Sequence, residues 1–112
     1  MVTGPTGALV VLCSCPDEAT ADRIAGELVG ERLAACVSRL PGLRSTYRWE
    51  GRLQSEPETL LIIKTSTGRF AALEMRLKAL HPYEVPEIIA LPVVAGSSAY
   101  LDWVAAESCA ST

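Results

Sequence analysis

A chain of 112 residues that is 49% hydrophobic carries enough apolar matter for one packed core and too little length for several. Its formal charge of -3 argues against recognition by phosphate neutralisation, so no nucleic-acid partner is expected. The first apolar run, residues 8–13, follows no basic segment and is shorter than the roughly 20 residues that cross a bilayer, which argues against a membrane partner as well.

Residues 1–7, with Gly4, Pro5 and Gly7, read as a flexible tail, and residues 8–112 as a single domain. Residues 8–15 are apolar on both faces, as in the middle strand of a covered sheet, and Pro16 breaks the strand. Asp17 is placed to cap a helix in which Ala21, Ile24, Ala25, Leu28 and Val29 recur at helical spacing, with Gly30 as its left-handed stop. From Leu33 the pattern turns to strand, and Leu43, Ser45, Tyr47 and Trp49 fall on one face while Arg44, Thr46 and Arg48 fall on the other. Pro41-Gly42 must kink or bulge this strand. Glu50-Gly51 offers a tight turn into a partner strand over residues 52–65. Ser66 or Thr67 can cap a second helix with a stripe of Phe70, Leu73, Leu77 and Leu80, and His81-Pro82 ends it. Residues 88–94 form a fourth strand, and Ser97 or Ser98 caps a short last helix with Tyr100, Leu101, Trp103 and Val104.

Strand, helix, strand, strand, helix, strand is the split βαβ order, an α+β arrangement in which right-handed crossovers put two helices on one face of an antiparallel sheet. The last helix is an addition. At about 3.3 Å per residue, hairpin strands of some 15 residues reach roughly 50 Å, while a domain of about 100 residues has a radius of gyration near 13 Å. Such a hairpin outreaches its own core. It carries Tyr47 and Trp49 into solvent unless another chain covers them, so oligomerisation is expected and both aromatics are candidate interface residues.

Residues 31–37 (ERLAACV), Pro41-Gly42 and residues 45–51 (STYRWEG) resemble the central signature of the CutA divalent-cation tolerance family. Lys64-Thr65, residues 81–87 (HPYEVPE) and the ending from Gly96 through Asp102-Trp103 continue the similarity in order and spacing. The resemblance implies a ferredoxin-like fold with a long hairpin of the second and third strands. It also implies a homotrimer whose hairpins pair between subunits, and a link to copper and other divalent cations. In bacterial members copper binding has been placed on a cysteine late in the first strand and on two adjacent histidines before a Pro-Tyr pair. The corresponding positions here are Cys13, Leu80 and His81. Leu80 removes one imidazole.

Cys13 and Cys15 are two apart on a strand and so point to one face, where thiolates suit soft Cu(I); plain packing is the alternative, free cysteine being among the most buried residues. Cys36 is expected in the core and Cys109 near the surface. All four cysteines are expected to be reduced thiols of a cytoplasmic protein. His81, the only histidine, is either a metal-ligating imidazole or a helix C-cap. Tyr83, Glu84 and Glu87, held between Pro82 and Pro86, can present oxygen ligands or line a cleft, or stand in solvent.

Two functions compete: a metal-binding homotrimer that responds to metal ions, with copper or another divalent cation as cofactor, and a trimeric signalling module resembling nitrogen-regulatory proteins, which takes small anionic ligands between subunits. No phosphate-cradling loop of the G-x-x-x-x-G-K type supports the second, and residues 65–69 are a weak anion loop. Enzymatic activity is not expected, since one histidine and no nucleophile–base arrangement leave acid–base chemistry without a constellation.

Overall fold

The computed structural model describes the backbone of residues 2 and 3 and residues 5–110 in full. Its elements are β1 (Val2–Thr3), β2 (Ala8–Cys15), α1 (Glu18–Gly30), β3 (Cys36–Trp49), β4 (Arg52–Ser66), α2 (Phe70–Leu80), β5 (Ile89–Pro92), β6 (Ala95–Gly96) and α3 (Ser98–Glu107). An antiparallel sheet in the order β3-β4-β2-β5 makes the ferredoxin-like frame, and β1 pairs separately with β6. Of the expected tail, Met1 and Gly4 lie outside the described residues, while Val2 and Thr3 pair with Gly96 and Ala95. Thr6 Oγ1 donates to the Val93 carbonyl at 2.6 Å.

The core lies on one face of the sheet. Val11, Cys13 and Cys15 of β2 and Leu61 and Ile63 of β4 point toward α1 and α2, where Ala21, Ile24, Leu28, Leu73 and Leu77 enclose them. Pleat alternation sends Val10, Leu12 and Ser14 to the opposite face, with Leu60 and Ile62 from β4. There α3 covers only the end near Ala8 and Ala35, through Val104, and Ser66 Oγ meets Ser108 Oγ at 2.6 Å. The rest of that face is open, with Leu40, Ile89 and Leu91 each about half exposed and the bonded pair Lys64 and Ser38 among them.

Asp17 caps α1 as expected, its Oδ1 accepting from Thr20 N–H at 2.7 Å. Gly30 is not the left-handed stop. The helix runs through it, and Arg32 takes the positive φ of 59° instead. Arg32 N–H donates to the Val29 carbonyl and Leu33 N–H to the Leu28 carbonyl, the two bonds of a Schellman closure, which drives Leu33 into the core beside Leu28. Three contacts offset the strain at a non-glycine position: the Arg32 guanidinium donates to the carbonyls of Ala106 and Cys109 and pairs with Glu107.

The strand expected from Leu33 begins at Cys36, since residues 33–35 still belong to the helix closure. Neither Ser66 nor Thr67 caps α2 with its side chain; a 3-10 turn, Thr67–Arg69, leads into the helix. The fourth strand is shorter than expected and ends at Pro92.

The β3–β4 hairpin closes through Glu50 (φ 51°) and Gly51 (φ 76°), a pair of left-handed residues typical of a two-residue turn. The pairing slips between Leu40, opposite Leu60, and Leu43, opposite Glu58, so Pro41 and Gly42 together face one residue of β4. Gly42, at φ 87°, accommodates this bulge. The hairpin gives the chain a long dimension of 44 Å against 29 and 22 Å for the others.

The backbone N–H of Thr20, helped by its hydroxyl, holds the Asp17 carboxyl below the usual range. The cap therefore stabilises α1 at neutral pH and loses its effect as pH falls through the folded value. Asp17→Ala is expected to melt below wild type at pH 7, with the gap narrowing in acid, and Asp17→Asn, which keeps an acceptor, to melt close to wild type at pH 7. Thermal unfolding followed by circular dichroism at pH 7 and pH 3 checks both.

Candidate functional site

Three donors converge at the end of β2. Cys13 and Cys15 project from the helix side of the strand, and His81 follows α2 immediately, where the extended backbone required before Pro82 turns the chain back toward the sheet. The two sulfurs and a ring nitrogen of His81 lie within 4.8 Å of one another, and all three residues are buried. Leu80 packs against the core and brings no donor.

His81 is held by backbone on both sides. Its Nε2 donates to the Ser14 carbonyl at 2.7 Å, and its Nδ1 accepts from Tyr83 N–H at 3.1 Å. The pair of bonds selects the neutral tautomer with the proton on Nε2. The ring thus caps the end of β2 rather than the last carbonyls of its own helix. Burial opposes a charged ring, yet the hydrogen bonds to Cys15 and Ser14 and the neighbouring Cys15 and Glu58 charges together raise its pKa. The thiols divide their roles. Cys15 is lowered to about 6, chiefly by the hydrogen bond from Cys13 and further by His81, against the cost of burial. Cys13 is pushed up by that same hydrogen bond and by burial. The one hydrogen bond between them thus drives the two thiols in opposite directions.

Cys36, expected in the core, is half-buried on the sheet face away from the helices, because its place in β3 has the parity of Ser38 and Leu40. Its sulfur lies 3.9 Å from Lys64 Nζ. Cys109 is exposed, as expected, and all four cysteines are free.

A second feature lies across β2. Ser14, between the two cysteines, points the other way, into an open cleft of about 710 Å³ between the outer part of the hairpin and the loop after α2. Tyr83, Glu84 and Glu87 line it together with Tyr47 and Trp49. The sequence did not single out Glu58, which the structure places here: only 9% exposed, it accepts from the Tyr83 hydroxyl at 2.7 Å. Its mark in the sequence is parity, since it continues the alternation of Leu60 and Ile62 toward the hairpin. Ser14 Oγ donates to Glu87 at 3.3 Å. Burial first, and the hydrogen bond to Glu58 second, push the Tyr83 phenol above its ordinary pKa. The rings of His81 and Tyr83 touch, with centroids 4.7 Å apart, so one loop serves both the thiol cluster and the cleft.

A family model, the CutA1 divalent ion tolerance protein, matches residues 9–107. Over 95 residues the chain is 55% identical to the divalent-cation tolerance protein CutA of Thermus thermophilus, covering 85% of this chain and 92% of that one. Its fold superposes on solved CutA structures. For that of Xylella fastidiosa the TM-score is 0.90 at 45% identity, covering 92% of this chain and 99% of the other. For the protein named a periplasmic divalent cation tolerance protein CutA from Archaeoglobus fulgidus it is 0.87 at 34% identity, covering 90% and 98%.

The double backbone clamp on His81 has a spectroscopic consequence. In long-range proton–nitrogen correlation spectra at mildly alkaline pH, above the raised folded pKa, the ring is expected to show a protonated Nε2 and an unprotonated Nδ1. A ring protonated on Nδ1 alone would contradict the clamp.

Proposed function

This chain belongs to the CutA1 divalent ion tolerance family, and from that premise we propose that it is a metal-binding homotrimer of the response to metal ions, with copper held by Cys13, Cys15 and His81. The observation that carries the reading is the convergence of two thiols and one imidazole within 4.8 Å. Ligands bonded to one ion at about 2.0–2.3 Å stand roughly 3.5–4 Å apart, so only a small contraction is needed. The donor set suits a soft ion content with few ligands, Cu(I) ahead of Cu(II), whose tetragonal preference would call on the imidazole that Leu80 lacks. One thiolate with one Cu(I) is neutral, which lessens the cost of an ion in the core. The Nε2–H bond to Ser14 and the Tyr83 N–H bond to Nδ1 fix the orientation of the ring beside the thiols, as outer contacts do for a metal-ligating histidine. The family is named for tolerance and not for a reaction, and we assign the chain no catalytic role.

The trimer is supported by the uncovered face carrying Leu40, Ile89 and Leu91, and by the projecting hairpin with Tyr47 and Trp49 each about 40% exposed. The four free cysteines favour a reducing cytoplasm, and no helix among the described residues is long and apolar enough to cross a membrane.

Competition against chelators specific for each oxidation state tests the site. Wild type is expected to bind Cu(I) more tightly than Cu(II), Cys13→Ser and His81→Ala to lose at least tenfold in Cu(I) affinity, and Leu80→His to gain Cu(II) affinity. If both single variants bound Cu(I) as wild type does, the cluster would be packing only. For the assembly, light scattering at micromolar concentration is expected to give a trimer mass, and Trp49→Ala to dissociate at lower denaturant than wild type. A monomer mass would remove the trimer.

A further inference from the structure

The His81 ring has no lone pair left to give. A neutral imidazole offers one donor and one acceptor. Here the Nε2–H is spent on the Ser14 carbonyl at 2.7 Å, and Nδ1 on the Tyr83 N–H at 3.1 Å. An ion shared with Cys13 and Cys15 needs a ring nitrogen whose lone pair is free, so one of these bonds has to open. If Nδ1 takes the ion, the Tyr83 N–H is displaced from it. If Nε2 takes the ion, its proton moves to Nδ1, which then meets the Tyr83 N–H donor against donor. For a neutral ring both routes release the Tyr83 N–H, and only the second also gives up Ser14.

The two anchors differ in what holds them. Ser14 lies in β2 with Leu60 of β4 opposite, and the ring takes its carbonyl beyond Leu12, where the pairing with β5 stops. Tyr83 lies in a loop that no ladder holds. Among the described residues none of 82–86 makes a backbone–backbone hydrogen bond, and Pro82 and Pro86 have no N–H to give. Side chains keep this loop in place: the Tyr83 hydroxyl on Glu58 at 2.7 Å, the Tyr83 ring against His81 at 4.7 Å, and Ser14 Oγ on Glu87 just past the loop at 3.3 Å. A donor that loses its acceptor in a part-buried place costs free energy, which a loop can recover by turning to water and a paired strand cannot. We infer that residues 82–86 are a metal-responsive latch, closed on His81 until an ion takes the ring and released at Tyr83 when it does. The inference rests on the reading of Cys13, Cys15 and His81 as the copper site. Every atom in this count of bonds belongs to one chain, so the count holds whether or not a second copy covers the hairpin.

The chain has three tyrosines, Tyr47, Tyr83 and Tyr100, so protein labelled with heavy nitrogen in its tyrosines alone gives three backbone amide signals, which diamagnetic Cu(I) leaves sharp. Tyr83→Phe assigns its signal by loss, and should that variant fail to fold, Tyr47→Phe and Tyr100→Phe assign it by elimination. When an equimolar amount of Cu(I) is added anaerobically to the intact protein, hydrogen exchange at the Tyr83 amide is expected to quicken at least tenfold, while the Tyr100 amide of α3 keeps its rate. Copper bound with the Tyr83 amide unchanged would mean that the thiols hold the ion alone, which overturns the latch and leaves the thiol site standing. Equal quickening at Tyr100 would report a general loosening and overturn the latch as well. Absence of Cu(I) binding, or binding that Cys13→Ser leaves untouched, would overturn the copper reading and the latch with it.

Discussion

The bond from His81 Nε2 to the Ser14 carbonyl ties the end of α2 to the end of β2, and both the thiol cluster and the cleft depend on it. It spans 67 residues of sequence and is buried, so little water competes for it. By fixing the ring it brings an imidazole to the two thiols on one side of the strand. By fixing the start of the loop through Pro86 it sets the Tyr83 hydroxyl on Glu58 at the other. The pleat of β2 divides the labour: odd positions Cys13 and Cys15 serve the core side and the even position Ser14 serves the cleft.

What was legible in the sequence is what local chemistry decides. The Asp17 cap, the Glu50-Gly51 turn, the bulge at Pro41-Gly42 and the end of α2 before Pro82 each follow from a few adjacent residues, and each stands where expected. The shared face of Cys13 and Cys15 follows from strand period alone. Features set by distant partners were not legible. Arg32 takes a left-handed conformation that spacing assigned to Gly30, because its guanidinium is held by α3 more than 70 residues away. Glu58 looks like a solvent-facing strand residue until Tyr83, 25 positions on, bonds it. The meeting of His81 with the cysteines is likewise a matter of topology, though the family resemblance pointed to two of the three.

The thiol cluster and the cleft use opposite physics within a few ångströms. The thiol cluster is dry, soft and enclosed, and its capacity for an ion rests on deprotonating one sulfur in a medium that penalises charge. The cleft, as one chain presents it, is open and hard-edged, its acids partly solvated and its aromatic walls exposed. Contact between the His81 and Tyr83 rings gives a physical route by which filling the thiol cluster would be felt at the cleft.

The bulge at Pro41-Gly42 also governs which substitutions of length this chain can tolerate. Across it the residues of β3 that share a face change from even numbers, Ser38 and Leu40, to odd ones, Leu43, Ser45, Tyr47 and Trp49. An unbroken strand of the same sequence would turn Arg44, Thr46 and Arg48 toward Glu58 and send the aromatics to the other side. Losing one of the two bulge residues preserves the phase, whereas gaining one residue between Leu43 and Trp49 inverts it for every position nearer the turn. The charge of the cleft is thus written in the parity of a residue count, and insertions along this strand are constrained in a way that no single replacement there would reveal.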